Sequence, residues 1–457
     1  MLKRMLKSIL PKGAVGTYHR VMAGAASLRY GNPSASMIVI GVTGTNGKST
    51  TANMIAAVLE GAGFRVGLAT TCNFRIAGKE WLNDTKMTML GRFQLQKLLA
   101  RMRDAGCRYA VVETSSEGIA QYRHAGIAYD VAVFTNLTPE HIESHGSFEN
   151  YKAAKAKLFA KLATDLRKNF DGKDVPKVIV SNLDSPHGSF FLGFAANKKY
   201  GYSVERSAER AASGAALPAR LVEWPIAVVK ALGTEYAADG ARFTVRDAPF
   251  RLQMLGIINV ENALAAVAVG LSQGIGIPAM SKALAEFKGV PGRQEFIRAG
   301  QDFLAVVDYA HEPESFRKLY ELIGLLPKRR IIQVIGSAGG GRDKARRTVL
   351  GTLSAQKADV VIVTNEDPYD EDPGAIIAAV AAGAREAGKR DGENLFVVQD
   401  RREALAKAVG MAQKGDIVVA TGKGAEQWIC VADGKKVAWD ERVEMRKAIE
   451  AKLGVRS

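Results

Sequence analysis

An α/β fold with mainly parallel sheets is predicted for this chain by three observations. Short apolar runs recur along it, and several are uninterrupted, as strands covered on both faces require. Longer stretches with helical spacing separate them. At 457 residues the chain also exceeds one ordinary core, so two or three domains are expected.

The N-terminus, MLKRMLKSILPKGAVGTYHRVMAGAASLRYG, sets Lys3, Arg4, Lys7 and Lys12 among Leu2, Met5, Leu6, Ile9 and Leu10. A secretory signal needs an unbroken apolar core and a small-residue cleavage site, and Pro11 and Gly13 interrupt this one. Two readings stay open: a basic amphipathic helix making peripheral contact with an anionic membrane, or a helix packed on the domain behind it.

Strands are then predicted at 37–40, 109–113, 131–135, 178–180, 305–308, 331–335, 360–363, 395–398 and 417–420. Helical spacing covers 49–62, 93–105, 260–273, 315–323 and 375–387. Residues 203–250 carry short Gly- and Ala-rich pieces with alternation such as ARFTVR, and predict an antiparallel excursion within the first large domain. FKGVPGRQEFI, from Phe287 to Ile297, has the Pro and Gly content of a domain junction.

Composition narrows the function. Three widely separated cysteines, Cys72, Cys107 and Cys430, form neither a disulfide framework nor a zinc motif, which fits a reducing cytoplasm. No stretch approaches the ~20 apolar residues of a membrane span. The net charge of +16 would suit nucleic acid or an anionic metabolite. The basic residues are scattered among acids without aromatic interleaving, so no specific nucleic-acid partner is expected. A monomer acting on small molecules is expected instead.

GVTGTNGKST, Gly41 to Thr50, joins a predicted strand to a predicted helix. In such a loop, free backbone N–H groups and the helix dipole favour an anion. Lys48 is placed to neutralise phosphate oxygens and Ser49 to offer a hydroxyl to Mg²⁺. Gly44, Thr45, Asn46, Gly47, Lys48, Ser49 and Thr50 are therefore candidate ATP contacts. The spacing is shorter than G-x-x-x-x-G-K-[ST], which would need glycine at Val42.

This compact loop resembles that of the Mur ligase family, ATP-dependent enzymes that form amide bonds in peptidoglycan synthesis; folylpolyglutamate synthases belong to it too. Further segments carry the resemblance in order. ETSSEG resembles E-V-S-S-H-G, which implies Glu113 as a Mg²⁺ ligand with Ser115 and Ser116 lining the substrate site; Thr114 and Glu117 depart from the pattern. TNLTPEHIESHG resembles T-N-L-x-x-D-H-L-D-x-H-G, with Glu140 for Asp. It implies Asn136 near the nucleotide, His141 as a second metal ligand and His145 as support. YKAAK aligns Lys155 with a lysine carbamylated in many members. The carbamate would be a metal-holding carboxylate, and the alternative reading is a solvated lysine on a helix face.

LGIINVENALAA implies Asn259 and Asn262 near adenine, or a structural capping role for them. GVPGRQE implies Arg293 as a phosphate contact across the cleft, and VVDYAHEPES implies Asp308 and His311 facing nucleotide. GGGRDKARRT partly matches the motif of third-residue-adding members, with Arg342 on the incoming amino acid's carboxylate. Arg346 and Arg347 take its Lys-Arg places, or form a basic surface. VTNEDPYDEDP puts Glu366, Asp367 and Tyr369 where the pattern has Asp, Asn and Arg, and the added acidity suits a cationic side chain such as lysine. TGKGAEQW keeps Gly422 and Glu426 as contacts to the amine, and Thr88 joins the substrate residues.

The resemblance implies a central P-loop-type ATPase domain with a mainly parallel sheet, 37–292, after a short basic helical segment, 1–36. A C-terminal Rossmann-like α/β ligase domain, 293–457, follows. Because only a short basic segment precedes the loop, the UDP-gripping domain that normally opens these ligases is expected to be missing. The expected reaction adds an amino acid, a diamino acid by the acidic motif, to a muramyl-dipeptide-type carboxylate, with ATP and Mg²⁺ and through an acyl phosphate. Two alternatives are a folylpolyglutamate synthase-like ligase and an NTP-driven binding protein. The latter leaves the Asp308 and His311 motif unexplained.

Overall fold

The structure, a computed structural model, describes residues 12–138, 146–204, 226–237, 239–341 and 344–455. The expected α/β fold is present as two separate sheets, one of eleven strands and one of six.

Five parallel strands form the middle of the larger sheet: Val178–Asn182, Val131–Phe134, Ile38–Thr43, Tyr109–Glu113 and Val66–Ala69, in that spatial order. Their side chains are buried on both faces. Ile38, Ile40 and Val42 pack with the helices Lys48–Gly61, Ile257–Ser272 and Ile277–Glu286, whereas Met37 and Val39 pack with Arg92–Asp104 and Phe148–Thr164. This two-sided burial explains the uninterrupted apolar runs. All five C-terminal strand ends point the same way, which is where α/β sheets bind ligands.

The antiparallel reading of 203–250 needs correction. The first half of Ile226–Ala237 runs parallel to Lys198–Val204, from Lys199 opposite Ile226 to Val204 opposite Ala231. Only its second half and the strands Gly240–Val245 and Ala248–Leu252 are antiparallel. A twelve-residue strand spans both patterns, so the excursion extends the parallel sheet before turning back. At the opposite edge, Asn73–Ile76 and Lys79–Leu82 add two antiparallel strands.

The helix Lys12–Arg29 packs on Arg92–Asp104. Ala23 and Ala26 are buried there, Arg103 donates to the Tyr30 carbonyl at 3.0 Å, and Tyr18, Val21 and Leu28 stay exposed. Beneath it lies His124, 4% exposed, its Nδ1 without a hydrogen-bond partner. Burial, then the charges of Lys161, Lys157 and Arg20, lowers its pKa to about 3. The folded state therefore holds neutral imidazole, and this stability is fully present above the ordinary pKa and lost as pH falls towards 3. We expect His124→Phe to retain about 2 kcal/mol more stability than the parent near pH ~4.5, with little difference at neutral pH. Denaturant melts at the two pH values check this, and equal acid slopes would refute it.

In the second sheet the order is Glu295–Phe296, Leu304–Val307, Ile417–Ala420, Ile331–Ile335, Val360–Val363 and Leu395–Val397, parallel except for the first strand. Pro313–Gly324, Ala345–Lys357 and Pro373–Glu386 cover one face, and Arg401–Met411 and Glu441–Leu453 the other. No described helix is long and apolar enough to cross a membrane.

Candidate active site

The strand Ile38–Thr43 delivers the chain into a glycine-rich turn that becomes the helix Lys48–Gly61, with Gly47 as its N-cap at φ +82°. A Cβ on Gly47 would run into Asn262 Oδ1, so glycine lets the turn rest directly on that asparagine. Asn262 Oδ1 also accepts from Thr51 Oγ1 at 2.9 Å, and its Nδ2 reaches Asn259 Oδ1 at 3.3 Å. Asn259 in turn donates to the Leu255 carbonyl and to Gln294 Oε1, both at 2.7 Å. The two asparagines thus form a strut from the loop to the start of the second domain.

The next strand end holds the loop from its other side. Asn46 N donates to Asn136 Oδ1 at 2.9 Å, and Thr45 N to the Asn136 carbonyl at 2.8 Å. Lys155 is a buried residue, not part of a solvated helix face. Its ammonium donates to the Gly44 carbonyl at 2.7 Å and lies 4.2 Å from the centre of the Tyr151 ring. Tyr151 shares a hydrogen bond with Thr45 Oγ1 at 3.1 Å. Lys48 folds back onto the Thr45 carbonyl at 2.8 Å, with its ammonium at the mouth of the loop.

Glu113, at the end of its strand, accepts from Ser49 Oγ at 2.8 Å, from Thr71 N at 2.8 Å and from Thr71 Oγ1 at 3.0 Å. Thr71 Oγ1 lies 3.0 Å from Thr88 Oγ1. Ser115 caps the short helix Ser116–Ala120 by accepting from Gly118 N. The hydroxyl and carboxylate at the loop mouth are hard oxygen donors, a set that fits Mg²⁺ sharing phosphate oxygens and water. Among the described residues, however, no three His, Cys, Asp or Glu side chains gather into a metal-binding group. His141 and Arg342 lie outside the described residues.

The second domain closes a cleft of about 330 Å³ over this loop. Arg293 donates to Cys72 Sγ at 3.2 Å and stacks 4.1 Å from the Tyr309 ring centre. Burial raises the Cys72 pKa, against the pull of Arg293, so the thiol stays protonated. Asp308 accepts from Gln294 N at 2.8 Å and Ala310 N at 2.7 Å; burial raises its pKa against Arg293 and these N–H groups. His311 Nδ1 is 2.8 Å from the Tyr309 carbonyl. Thr88, Ser115, Ser116 and Lys155 line the same cleft with Thr50, Asn259 and Asn262.

Arg346 and Arg347 are buried and paired, not a basic surface: Arg346 reaches Glu312 at 2.6 Å and Arg347 reaches Glu371 at 2.9 Å. Arg401 ties the two outer loops together, donating to the Asn365 carbonyl at 2.9 Å and the Thr421 carbonyl at 2.6 Å. Glu366 packs against Gly422, where any Cβ would meet its carboxylate, and burial raises its pKa. Tyr369, at φ +52°, packs by its ring against Gly340 and lies outside the main cleft.

Asp367 and Glu426 do converge, but lysines already meet them. Lys423 lies 3.0 Å from Asp367 and 2.7 Å from Glu426, and Lys86 lies 2.5 Å and 3.1 Å from the same pair. Burial would raise the Asp367 pKa, yet Lys423 and Lys86 together lower it. Lys86 and Cys72 carried no sequence signal, since each is a lone residue outside the quoted motifs.

Two family models match the chain: Mur ligase middle domain over residues 42–270, and Mur ligase, glutamate ligase domain, over 292–424. The UDP-N-acetylmuramyl-tripeptide synthetase of Roseiflexus sp. (strain RS-1) is 40% identical over 445 residues, which are 95% of this chain and 82% of that protein. A solved UDP-N-acetylmuramoyl-L-alanyl-D-glutamate--2,6-diaminopimelate ligase is 30% identical with a TM-score of 0.58, covering 91% of this chain and 79% of that one. Folylpolyglutamate synthase from Mycobacterium tuberculosis superposes with a TM-score of 0.63 over 96% of both chains, and at 18% identity the likeness is one of fold.

Proposed function

The chain belongs to the Mur ligase family, and from that premise we propose the roles its residues play in an ATP-dependent carboxylate–amine ligation. It is a ligase of peptidoglycan precursor synthesis that adds an amino acid to a muramyl-dipeptide-type carboxylate. The observation that carries the assignment of roles is the single cleft that joins the phosphate loop to the Arg293, Asp308 and His311 side of the second domain.

In this reading the loop amides and the N-terminus of the helix Lys48–Gly61 bind the ATP phosphates, and Lys48 leaves the Thr45 carbonyl to neutralise the transferring group. Mg²⁺, when bound beside Ser49 and Glu113, supplies charge neutralisation at the phosphate oxygens, with His141 and carbamylated Lys155 as the further ligands we propose. A substrate carboxylate oxygen attacks the γ-phosphorus, ADP leaves, and an acyl phosphate results. The amino acid's neutral amine then attacks the carbonyl carbon, phosphate departs and the nitrogen gives up a proton. Thr88, Ser115 and Ser116 line the acceptor side of the cleft. Asp367, Glu426 and Gly422 form the amino-acid end, with Tyr369 behind them against Gly340 and Arg342 assigned to the amino acid's carboxylate, and closure of the second domain keeps water from the acyl phosphate. Asn259 and Asn262 act by holding the loop's shape, and Arg293, Asp308 and His311 face the nucleotide. The reaction takes place in the cytoplasm.

The test is a ligation screen of lysine, ornithine and diaminopimelate against UDP-linked and UDP-free muramyl dipeptide, followed by product mass and phosphate release. We expect amide product with a diamino acid. Product formed only with a pteroyl-glutamate acceptor would overturn the substrate class. Phosphate release driven by nucleic acid alone would overturn the ligase roles.

A further inference from the structure

The acid pair at the amino-acid end holds two ammonium groups of unlike origin. Lys423 is fully buried and belongs to the same loop as Glu426; its three donors meet Asp367, Glu426 and the Trp428 carbonyl. It is built into the pocket. Lys86 comes from the other domain, from the loop between the strand Lys79–Leu82 and the helix Arg92–Asp104. It spans 281 residues of sequence to reach Asp367 Oδ2 at 2.5 Å, and lies 3.1 Å from Glu426 Oε2. Its backbone sits at φ +56°, a left-handed conformation that a lysine rarely adopts. Lys86, Met87 and Thr88 also line the cleft that holds the phosphate loop. The Lys86 ammonium therefore stands where the reaction cleft meets the acid pair.

We propose that Lys86 is a specificity-determining residue. Its ammonium occupies the seat between Asp367 and Glu426 that the incoming amino acid's side-chain ammonium takes in its turn. This rests on the reading above, in which the acid pair receives the amino acid. The exchange replaces one cation by another, so the buried Asp367 and the half-buried Glu426 never face the cleft without one. A neutral side chain of the same length has no means to displace Lys86, and so is rejected by a feature that works against it. The apparent affinity for a cationic amino acid is reduced by the fraction of molecules in which Lys86 has left its seat.

Lys86→Met keeps the length and removes the competitor. Steady-state ligation should show KM for lysine falling about tenfold if the seat is free about one tenth of the time, and KM for norleucine, which Lys86 rejects in the parent, falling at least as far. Lys86→Arg, which keeps a cation in place, should stay near the parent. Added lysine should also raise the melting temperature of Lys86→Met more than norleucine does, a readout that needs no turnover. An unchanged KM for both amino acids, or a rise for lysine, would overturn the seat exchange and leave Lys86 a structural tie. A parent enzyme that ligates no cationic amino acid would overturn the wider reading and this inference with it.

Discussion

Lys48→Ala is expected to lower the ligation rate by at least about 100-fold while leaving the fold intact. Lys48 is half-buried, and its ammonium donates to the Thr45 carbonyl, three residues back in its own loop. Truncation therefore removes little packing. The cost appears only when phosphate charge has to be neutralised. Three other cations of the cleft are held elsewhere: Arg123 by the Met89 carbonyl, Arg293 by Cys72 and Tyr309, Lys86 by Asp367 and Glu426. None of them starts from the N-terminus of the helix, where the loop amides converge. Since charge on the transferring group is redistributed in the transition state, kcat should fall further than KM for ATP rises. Phosphate release with and without the amino acid, alongside a thermal melt, checks both halves. Full activity in a folded variant would sink the assigned role.

The sequence made the buried parallel strands legible because two-sided burial leaves an unmistakable apolar run. Ile331–Ile335, Val360–Val363 and Ile417–Ala420 match the predicted bounds. Val66–Ala69 escaped notice because its four residues include glycine and alanine, and Lys79–Leu82 because it is an edge strand with polar residues. Lys198–Val204 alternates, with lysines at its start, and gives no continuous run. In the site, motif order pointed to Glu113 and the loop, but burial and partnership were invisible. Motif position selected Lys155, but its burial could not be read among several helix lysines, and Arg346 and Arg347 could equally have been surface charge, until their buried partners were located. The acids Asp367 and Glu426 were readable as acids. Their counter-ions were not, because Lys86 meets them only after two domains have packed.

Gly44→Ala should be the most damaging change that removes no functional group. Gly44 opens the loop at φ +155°, and a Cβ there would collide with Thr135 Oγ1 and stand 3.0 Å from both the nitrogen and the oxygen of Asn136. Thr135 cannot simply turn aside, since it is 2% exposed and its hydroxyl donates to the Asn46 carbonyl at 2.7 Å. The same peptide region receives Thr45 N at 2.8 Å, so pushing it away unseats the loop amides from their support. The Gly44 carbonyl also accepts from Lys155 Nζ at 2.7 Å, a buried contact that its displacement would break. We expect KM for ATP to rise by about 100-fold, equivalent to ~3 kcal/mol of lost binding, with the second domain still folded. A Gly44→Ala, Thr135→Ala double variant should recover only part of this, because the backbone contacts with Asn136 persist. Calorimetric titration of ATP into the single and double variants measures the coupling. Parent-like affinity in Gly44→Ala would mean that the compact loop does not need its glycine to bind phosphate.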